Sequence, residues 1–484
     1  MMPTHPAHEA KMVAPAQTSA TVRRKALWPR VSSVSLISLT ASLAATGAFA
    51  GPFPSHDAVT KSMGGTGVAS TDPAIGALRN PSALAAQIDT PGRESQWFVL
   101  PHGGFQSFDP DDLKRRVDNL QDDEDGIQAT IDTVDRFRGL QGGIEMPNQG
   151  SFDELTTSFS ALEEDLRSLE GSTIVADGSA AIALNRATRG FGWGIQVNEY
   201  AAVSAIGAFD DGFLTGIRDE IEACRVEFDT TEECETARIR VTTAVEDPEE
   251  GEEGQEEVIV DEVEFSFSAD ELESTVIARG IRISEMGLSL AKGWGQREQE
   301  WTLGVTLKAQ NIETYDYVAV IGEASTGDID NREHRESESD VNIDVGMQHR
   351  LTPRWRLGLA VQNAISRTYE TPNGDEIDVD PRARVGAAYL GDGFTVSAEA
   401  DLNTSPAVGF EEDTRHVGIG GEFDVMGLDR FKLRGGYRAD LEDSERNVAS
   451  IGLGISLMGF AQLHFAAMGN SDESGAAIQF GTAF

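Results

Sequence analysis

Residues 447–469 read NVASIGLGISLMGFAQLHFAAMG. Ile451, Leu453, Ile455 and Leu457 alternate with Gly452, Gly454 and Ser456, and after Met458-Gly459 the residues Leu463, Phe465 and Ala467 alternate with Gln462 and His464. A side-chain period of two over about ten residues is a strand with one apolar and one polar face. Two such runs joined by a tight turn form a hairpin.

The same alternation runs through most of the chain. It recurs over 430–440, 414–424, 393–403, 354–363, 340–349, 299–311, 189–207 and 172–186, and less cleanly over 382–390 and 94–105. In 275–292, Ile281 and Ile283 are out of phase with Met286, Leu288 and Leu290, so a β-bulge is expected near Ser284–Glu285. With a last strand carrying Ile478 and Phe480, the total is fourteen.

Connections alternate in length. Short ones fall near 187, 293, 352–353, 391–393, 427 and 458–459; long ones cover 106–171, 208–274, 321–338, 370–381, 404–413, 441–446 and 470–474. This is the pattern of an all-β membrane protein, a closed antiparallel fourteen-stranded outer-membrane β-barrel with tight periplasmic turns and long outer loops. Closure satisfies every backbone amide in hydrocarbon. No apolar run reaches 18 residues, so spanning helices are not expected.

The N-terminus supplies an address. Arg23, Arg24, Lys25 and Arg30 precede VSSVSLISLTASLAATGAFA, with Ala48 and Ala50 in an A-x-A arrangement, which predicts a secretory signal over 1–50 cleaved after Ala50. The chain reads as residues 51–93 forming an N-terminal plug and 94–484 forming the barrel, with a helical insertion at 109–170 and an acidic loop at 208–274. The last residue, Phe484, follows alternating apolar residues and resembles the signal that outer-membrane barrels present to their assembly machinery.

The insertions follow other periods. Leu155, Phe159, Leu162, Leu166 and Leu169 share a helical face, with Ser151 and Glu154 as a capping box and Gly171 as the stop. Leu113, Val117 and Leu120, continued by Ile127, Ile131 and Val134, predict the partner of an antiparallel helical hairpin. In the second insertion the run EDPEEGEEGQEE forms no core. Cys224 and Cys234 close a small loop there and are a disulfide candidate in an oxidising compartment.

The chain has 39 basic and 81 acidic residues, a net charge of −42, which excludes nucleic acid as a partner held by phosphate contacts. No HExxH, G-x-S-x-G or P-loop occurs, and no nucleophile–base pair stands out, so an enzyme is not expected, nor a cofactor. The acidic NGDEIDVD at 373–380 lacks full calcium-loop spacing and reads as a solvated loop, with no metal assigned. Arg354, Arg356, Glu399, Asp401, Glu422, Asp424, Lys432, Arg434 and Arg438 fall on the polar face, where opposite charges on neighbouring strands should form a ladder in the lumen.

Between the signal and the first strand lies KSMGGTGVASTDPAIGALRNPSALA, residues 61–85, rich in small residues that allow close backbone packing. Met63, Gly64, Gly65, Thr66 and Gly67, followed by Asn80 and Pro81, resemble the start of FadL-like outer-membrane barrels. The resemblance implies an N-terminal hatch, fourteen strands and inward carriage of small hydrophobic molecules; Ser82 stands where that motif has Ala. The same segment, EADLN at 399–403, HVGIGGEFD at 416–424 and KLRGGYR at 432–438 are similar to the barrel-type conjugal transfer protein TraF family. That likeness implies a second option, a conjugation-associated envelope component that transports nothing. The expected surroundings are outer-membrane lipid, the barrel assembly machinery and a small hydrophobic ligand.

Overall fold

A computed structural model describes residues 57–85, 95–120, 126–140, 147–188, 190–210, 212–231, 233–246, 257–267, 271–295, 300–320, 334–425, 430–457 and 460–483. The signal region over 1–50, most of the acidic run and Phe484 lie outside the described residues.

Fourteen strands close on themselves: β1 (Ser95–Phe108), β2 (Thr173–Thr188), β3 (Phe191–Ala208), β4 (Thr275–Trp294), β5 (Trp301–Val320), β6 (Arg335–Arg350), β7 (Trp355–Gln362), β8 (Arg382–Gly391), β9 (Phe394–Asp401), β10 (His416–Asp424), β11 (Phe431–Asp440), β12 (Val448–Leu457), β13 (Ala461–Gly469) and β14 (Glu473–Ala483). Each pairs antiparallel with its neighbours, and β14 pairs with β1. In the opening hairpin Leu453 stands opposite Phe465, and both point outward, 36% and 42% exposed. A sandwich would bury them; a lipid-facing wall leaves them bare. Phe191, Trp294, Trp355, Phe394, Phe431 and Phe460 gather beside the short turns, where an aromatic girdle meets the membrane interface. Among the described residues no helix is long and apolar enough to cross a membrane.

Strands β3, β4 and β5 have 18, 20 and 20 residues, well beyond the about 9–11 a bilayer needs. The expected bulge at Ser284–Glu285 is absent: Ser284 pairs with Glu199 and Asn311, and Glu285 with Asn198 and Gln310, in unbroken register. The apolar pattern shifts phase because the environment changes, not the backbone. Met286, Leu288 and Leu290 face lipid, whereas Ile281 and Ile283 face inward and are buried under a loop folded into the barrel mouth.

Above the lipid, the outer wall is covered. Val203, Ala205, Val276 and Ala278 pack into a core with the insertions. Among its described residues the first insertion has three helices rather than a hairpin of two: α3 (Leu113–Leu120), α4 (Ile127–Arg138) and α5 (Gln149–Arg167). The N-cap of α5 is Asn148, whose side chain accepts from the Ser151 amide (3.2 Å) while the Ser151 hydroxyl accepts from the Asn148 amide (3.3 Å). Ser151 is therefore the third helical residue, not the cap.

The second insertion is more than an acidic loop. Leu214, Ile217, Ile221, Cys224 and Phe228 are the buried stripe of α6 (Gly212–Thr231), which packs on α5, and a three-stranded sheet follows. Cys224 and Cys234 are joined, with Cα atoms 5.2 Å apart, tying α6 to that sheet. Reduction is expected to cost about 2–3 kcal/mol by the loop-closure model. Hydrogen exchange should show the loss in α6 and the small sheet, with barrel amides unchanged.

Candidate functional site in the lumen

Residues 57–85 thread the barrel interior. Asp57 caps α1 (Ala58–Ser62), its Oδ1 accepting from the Thr60 amide at 2.8 Å. Its other oxygen accepts from Arg79 Nε (2.9 Å) and Nη2 (2.8 Å), at the end of α2 (Gly76–Arg79). Both side chains are buried, so the pair folds the segment back on itself. Burial works to raise the Asp57 carboxyl, but the Arg79 charge, with smaller help from His102 and the cap bond, holds it down to about 2. Lys61 is buried too, donating to Gln106 Oε1 (3.0 Å) and the Phe105 carbonyl (3.3 Å), and Gln106 passes a hydrogen bond on to Asp177 (2.8 Å). Burial pushes the Lys61 ammonium down to about 8 against the pull of Asp177.

The motif read from sequence is where the segment meets the wall. Gly64 and Gly65 have φ of 65° and 78°, and a Cβ on Gly64 would lie 2.5 Å from the Tyr437 carbonyl oxygen. Thr66 donates to the Met63 carbonyl (2.9 Å) and shares a 2.6 Å hydrogen bond with Ser397. A Cβ on Gly67 would press on the side chain of Thr60. Asn80 donates to the Val68 carbonyl (2.9 Å), and its Oδ1 accepts from the Ser82 hydroxyl (2.6 Å). The serine that departs from the family motif thus fixes the asparagine side chain. Opposite the segment, the inward wall is glycine on strand after strand: Gly304, Gly346, Gly358, Gly418, Gly436 and Gly452. A methyl at Gly358 would stand 2.5 Å from the Val68 oxygen and 2.7 Å from Ala69 Cα. The segment fits because the wall has no side chains there. The clue was present in the 50 glycines, but which ones face inward beside the segment depends on the register.

The charged wall is a ladder with partners that the sequence reading missed. Glu422 meets Lys432 at 2.5 Å and Arg434 at 2.7 Å, and Asp424 lies 3.6 Å from Lys432. Asp401 is paired with Arg384 at 2.6 Å and accepts from the His416 amide at 2.9 Å. Glu399 accepts from the Ala69 amide (3.0 Å), so it holds the segment rather than a cation. Arg438 pairs with Glu473. Arg356 points inward and is buried. Arg354, expected on the same wall, lies instead in the turn before β7, half-exposed and 2.7 Å from Asp392 at the rim.

The other end of the lumen is closed by loops. The stretch expected as a solvated loop forms a hairpin of Arg367–Glu370 with Glu376–Val379, folded into the mouth. Its three aspartates have partners: Asp375 with Arg279, Asp378 with Thr368 and Asp380 with Ser366. A second loop brings in Val408, Phe410 over the Arg279 guanidinium, and Glu411, which pairs with Arg446 at 2.8 Å. Between the N-terminal segment and the inward wall lies a cavity of ≈ 50 Å³, room for about three to five waters. Asp57, Arg79, Lys308, Asp344, Tyr200 and Ile283 are among its lining.

Residues 77–401 match the family model described as "F plasmid transfer operon, TraF, protein". The chain belongs to this family. Among solved structures, it is similar in fold to the Ralstonia pickettii toluene transporter TbuX (12% identity, 88% of this chain and 98% of that one, TM-score 0.44). A Pseudomonas aeruginosa FadL homologue (11%, 90% and 99%, TM-score 0.43) and the Pseudomonas putida toluene transporter TodX (8%, 90% and 98%, TM-score 0.42) are similar in the same way. No curated protein matches the chain. This TraF-family chain is thus a closed fourteen-stranded antiparallel β-barrel.

Proposed function

We propose that this barrel is a passive conduit for small hydrophobic molecules across the outer membrane, closed at rest by residues 57–85 acting as a hatch. The observation that carries the reading is how the segment is held. It shares no ladder with the wall; side-chain bonds hold it: Ser397 donates to Thr66, the Gly64 amide to Ser450 and the Ala69 amide to Glu399, while Arg384 and Gln348 donate to the Gly65 and Val68 carbonyls. A neutral bond of this kind contributes about 0.5–1.5 kcal/mol net and a charged one about 1.5–3, less than the continuous ladder that closes the barrel, so the hatch can shift while the barrel stays closed on itself. On this reading the chain is exported with removal of residues 1–50 and inserted by the barrel assembly machinery.

A second reading, an envelope component of conjugal transfer that moves nothing, draws on the family description and on the small size of the cavity. Gly65→Val and Asn80→Ala separate the two. Both variants should still insert, shown by a gel-mobility shift on boiling, and should change uptake of a labelled monoaromatic or fatty acid. Unaltered uptake of both probes, with altered conjugation frequency, would favour the second reading.

A further inference from the structure

One short stretch of the outer face carries charge where its surroundings are apolar. At the short-turn end of β2, Arg186 shares the outward face with Ile182 and Leu184, while its neighbours Asn185 and Ala187 are buried on the inward side. Arg186 stands opposite Trp97 on β1 and Trp193 on β3. The two indoles meet edge to face, with ring centroids 5.4 Å apart, and the Arg186 guanidinium lies 5.2 Å from the Trp97 ring centre. Its Nε is covered and makes no hydrogen bond among the described residues. Lys292 on β4 is exposed and stands opposite Phe191 on β3 and Leu303 on β5. Trp193 and Phe191 are two residues apart, so the backbones of Arg186 and Lys292 are about 12 Å apart, two strand spacings by two residue rises. Among the described residues neither cation meets a carboxylate, whereas Arg354 in the same belt is paired with Asp392 at 2.7 Å.

Place and charge both select a ligand. Every tryptophan beyond residue 50 (Trp97, Trp193, Trp294, Trp301 and Trp355) sits at the short-turn end, which sets that end at a membrane interface, where headgroups lie. A chain of net charge −42 repels an anionic surface as a whole. Toward the other end of the same strands, the outward cation Arg282 is already shared by Glu199 and Glu313. A guanidinium and an ammonium left over in such a chain match a phosphodiester, to which arginine donates two parallel bonds. A zwitterionic headgroup brings an ammonium that both cations repel. Beyond them Ile182, Leu184, Ile195, Val197, Leu288 and Leu290 form an exposed apolar stripe of the kind acyl chains cover. We infer that Trp97, Arg186, Trp193 and Lys292 form a site for one anionic glycerophospholipid of the periplasmic leaflet, its phosphodiester on the two cations and its chains along the stripe. The inference rests on the reading that this wall spans an outer membrane, and not on passage through the lumen.

The test places the full chain in nanodiscs of equimolar phosphatidylglycerol and phosphatidylcholine and counts the lipids it retains by native mass spectrometry. Wild type should keep one phosphatidylglycerol in preference to phosphatidylcholine. A cation near an anionic headgroup is worth about fivefold, so Arg186→Gln and Lys292→Gln should each lower the preference by about that factor, and the double variant by about 25-fold. Arg186→Lys keeps the charge and should keep most of the preference, which separates headgroup binding from packing on Trp97. Arg354→Gln removes a cation that is already paired and should change nothing. The heat-dependent mobility shift checks that each barrel is closed. Glycerophosphoglycerol, the same headgroup without chains, should not displace the lipid at millimolar concentration. No preference in wild type, an unchanged preference in Arg186→Gln, an equal loss in Arg354→Gln, or displacement by the free headgroup overturns the inference. Uptake is read separately: a silent lumen with the preference intact sinks the conduit and leaves the site standing, and a lost preference with uptake intact does the reverse.

Discussion

Replacing Asp57 with Asn is expected to unseat the N-terminal segment and turn a silent barrel into a conducting one. The Asp57 carboxylate does two jobs, capping α1 and receiving two bonds from Arg79 in a buried setting. Removing one member of a buried pair costs about 3–5 kcal/mol, because the other charge stays buried. If that cost falls on the seated state, the unseated fraction rises on the order of 10²–10⁴-fold. Single-channel recording in planar bilayers reads this directly, and an Asn variant as quiet as wild type would sink it. Acid should do the same to the wild type. The Asp57 carboxyl is depressed from 3.8 to about 2 in the seated state. Its contribution is therefore complete above its ordinary value and fades as pH falls through about 2. The Asp57 part of the rise in conductance should appear only below about pH 4, and the Asn variant should lack that part.

The second large effect comes from one methyl. Gly358→Ala places a Cβ against the backbone of Val68 and Ala69, which has no side chain to swing away. Overpacking of this kind costs about 1–3 kcal/mol, and the strand itself tolerates alanine without loss of pairing. Leak should rise on the order of 10–100-fold while the heat-dependent mobility shift is kept. Gly421→Ala is the control: its Cβ would have only an ordinary 3.5 Å contact with the Thr395 carbonyl oxygen, and it should leave conductance unchanged. Equal behaviour of the two variants would remove the glycine-lined wall as the seat of the segment.

Much of the candidate site could be read before any coordinates, and the parts that could not share a cause. The glycines of the N-terminal segment were legible because close packing demands small residues in a run, and Asn80 only through the resemblance of its motif to that of FadL-like barrels. Glu422 with Lys432 and Arg434 was legible because neighbouring strands of known phase put opposite charges side by side. Arg384, Lys61 and Lys308 were not, because each finds its partner through an insertion depth or a register that no local pattern states. The hairpin at 367–379 looked like solvent-facing acid because its carboxylates outnumber its three buried apolar residues. The bulge expected near Ser284 failed for a related reason: a slip in apolar phase was taken for a slip in backbone, when the partner of the inward face had changed from water to a loop.

By itself the sequence determined a closed fourteen-stranded wall with one greasy and one wet face, since period-two alternation and alternating loop lengths act locally and repeat. Only the tertiary structure decided what fills the lumen: which inward glycines receive the segment, which loop drops into the mouth, and how little room is left between them. Those outcomes depend on side chains far apart in the chain meeting at one depth of the barrel. Register and closure, not composition, set that depth.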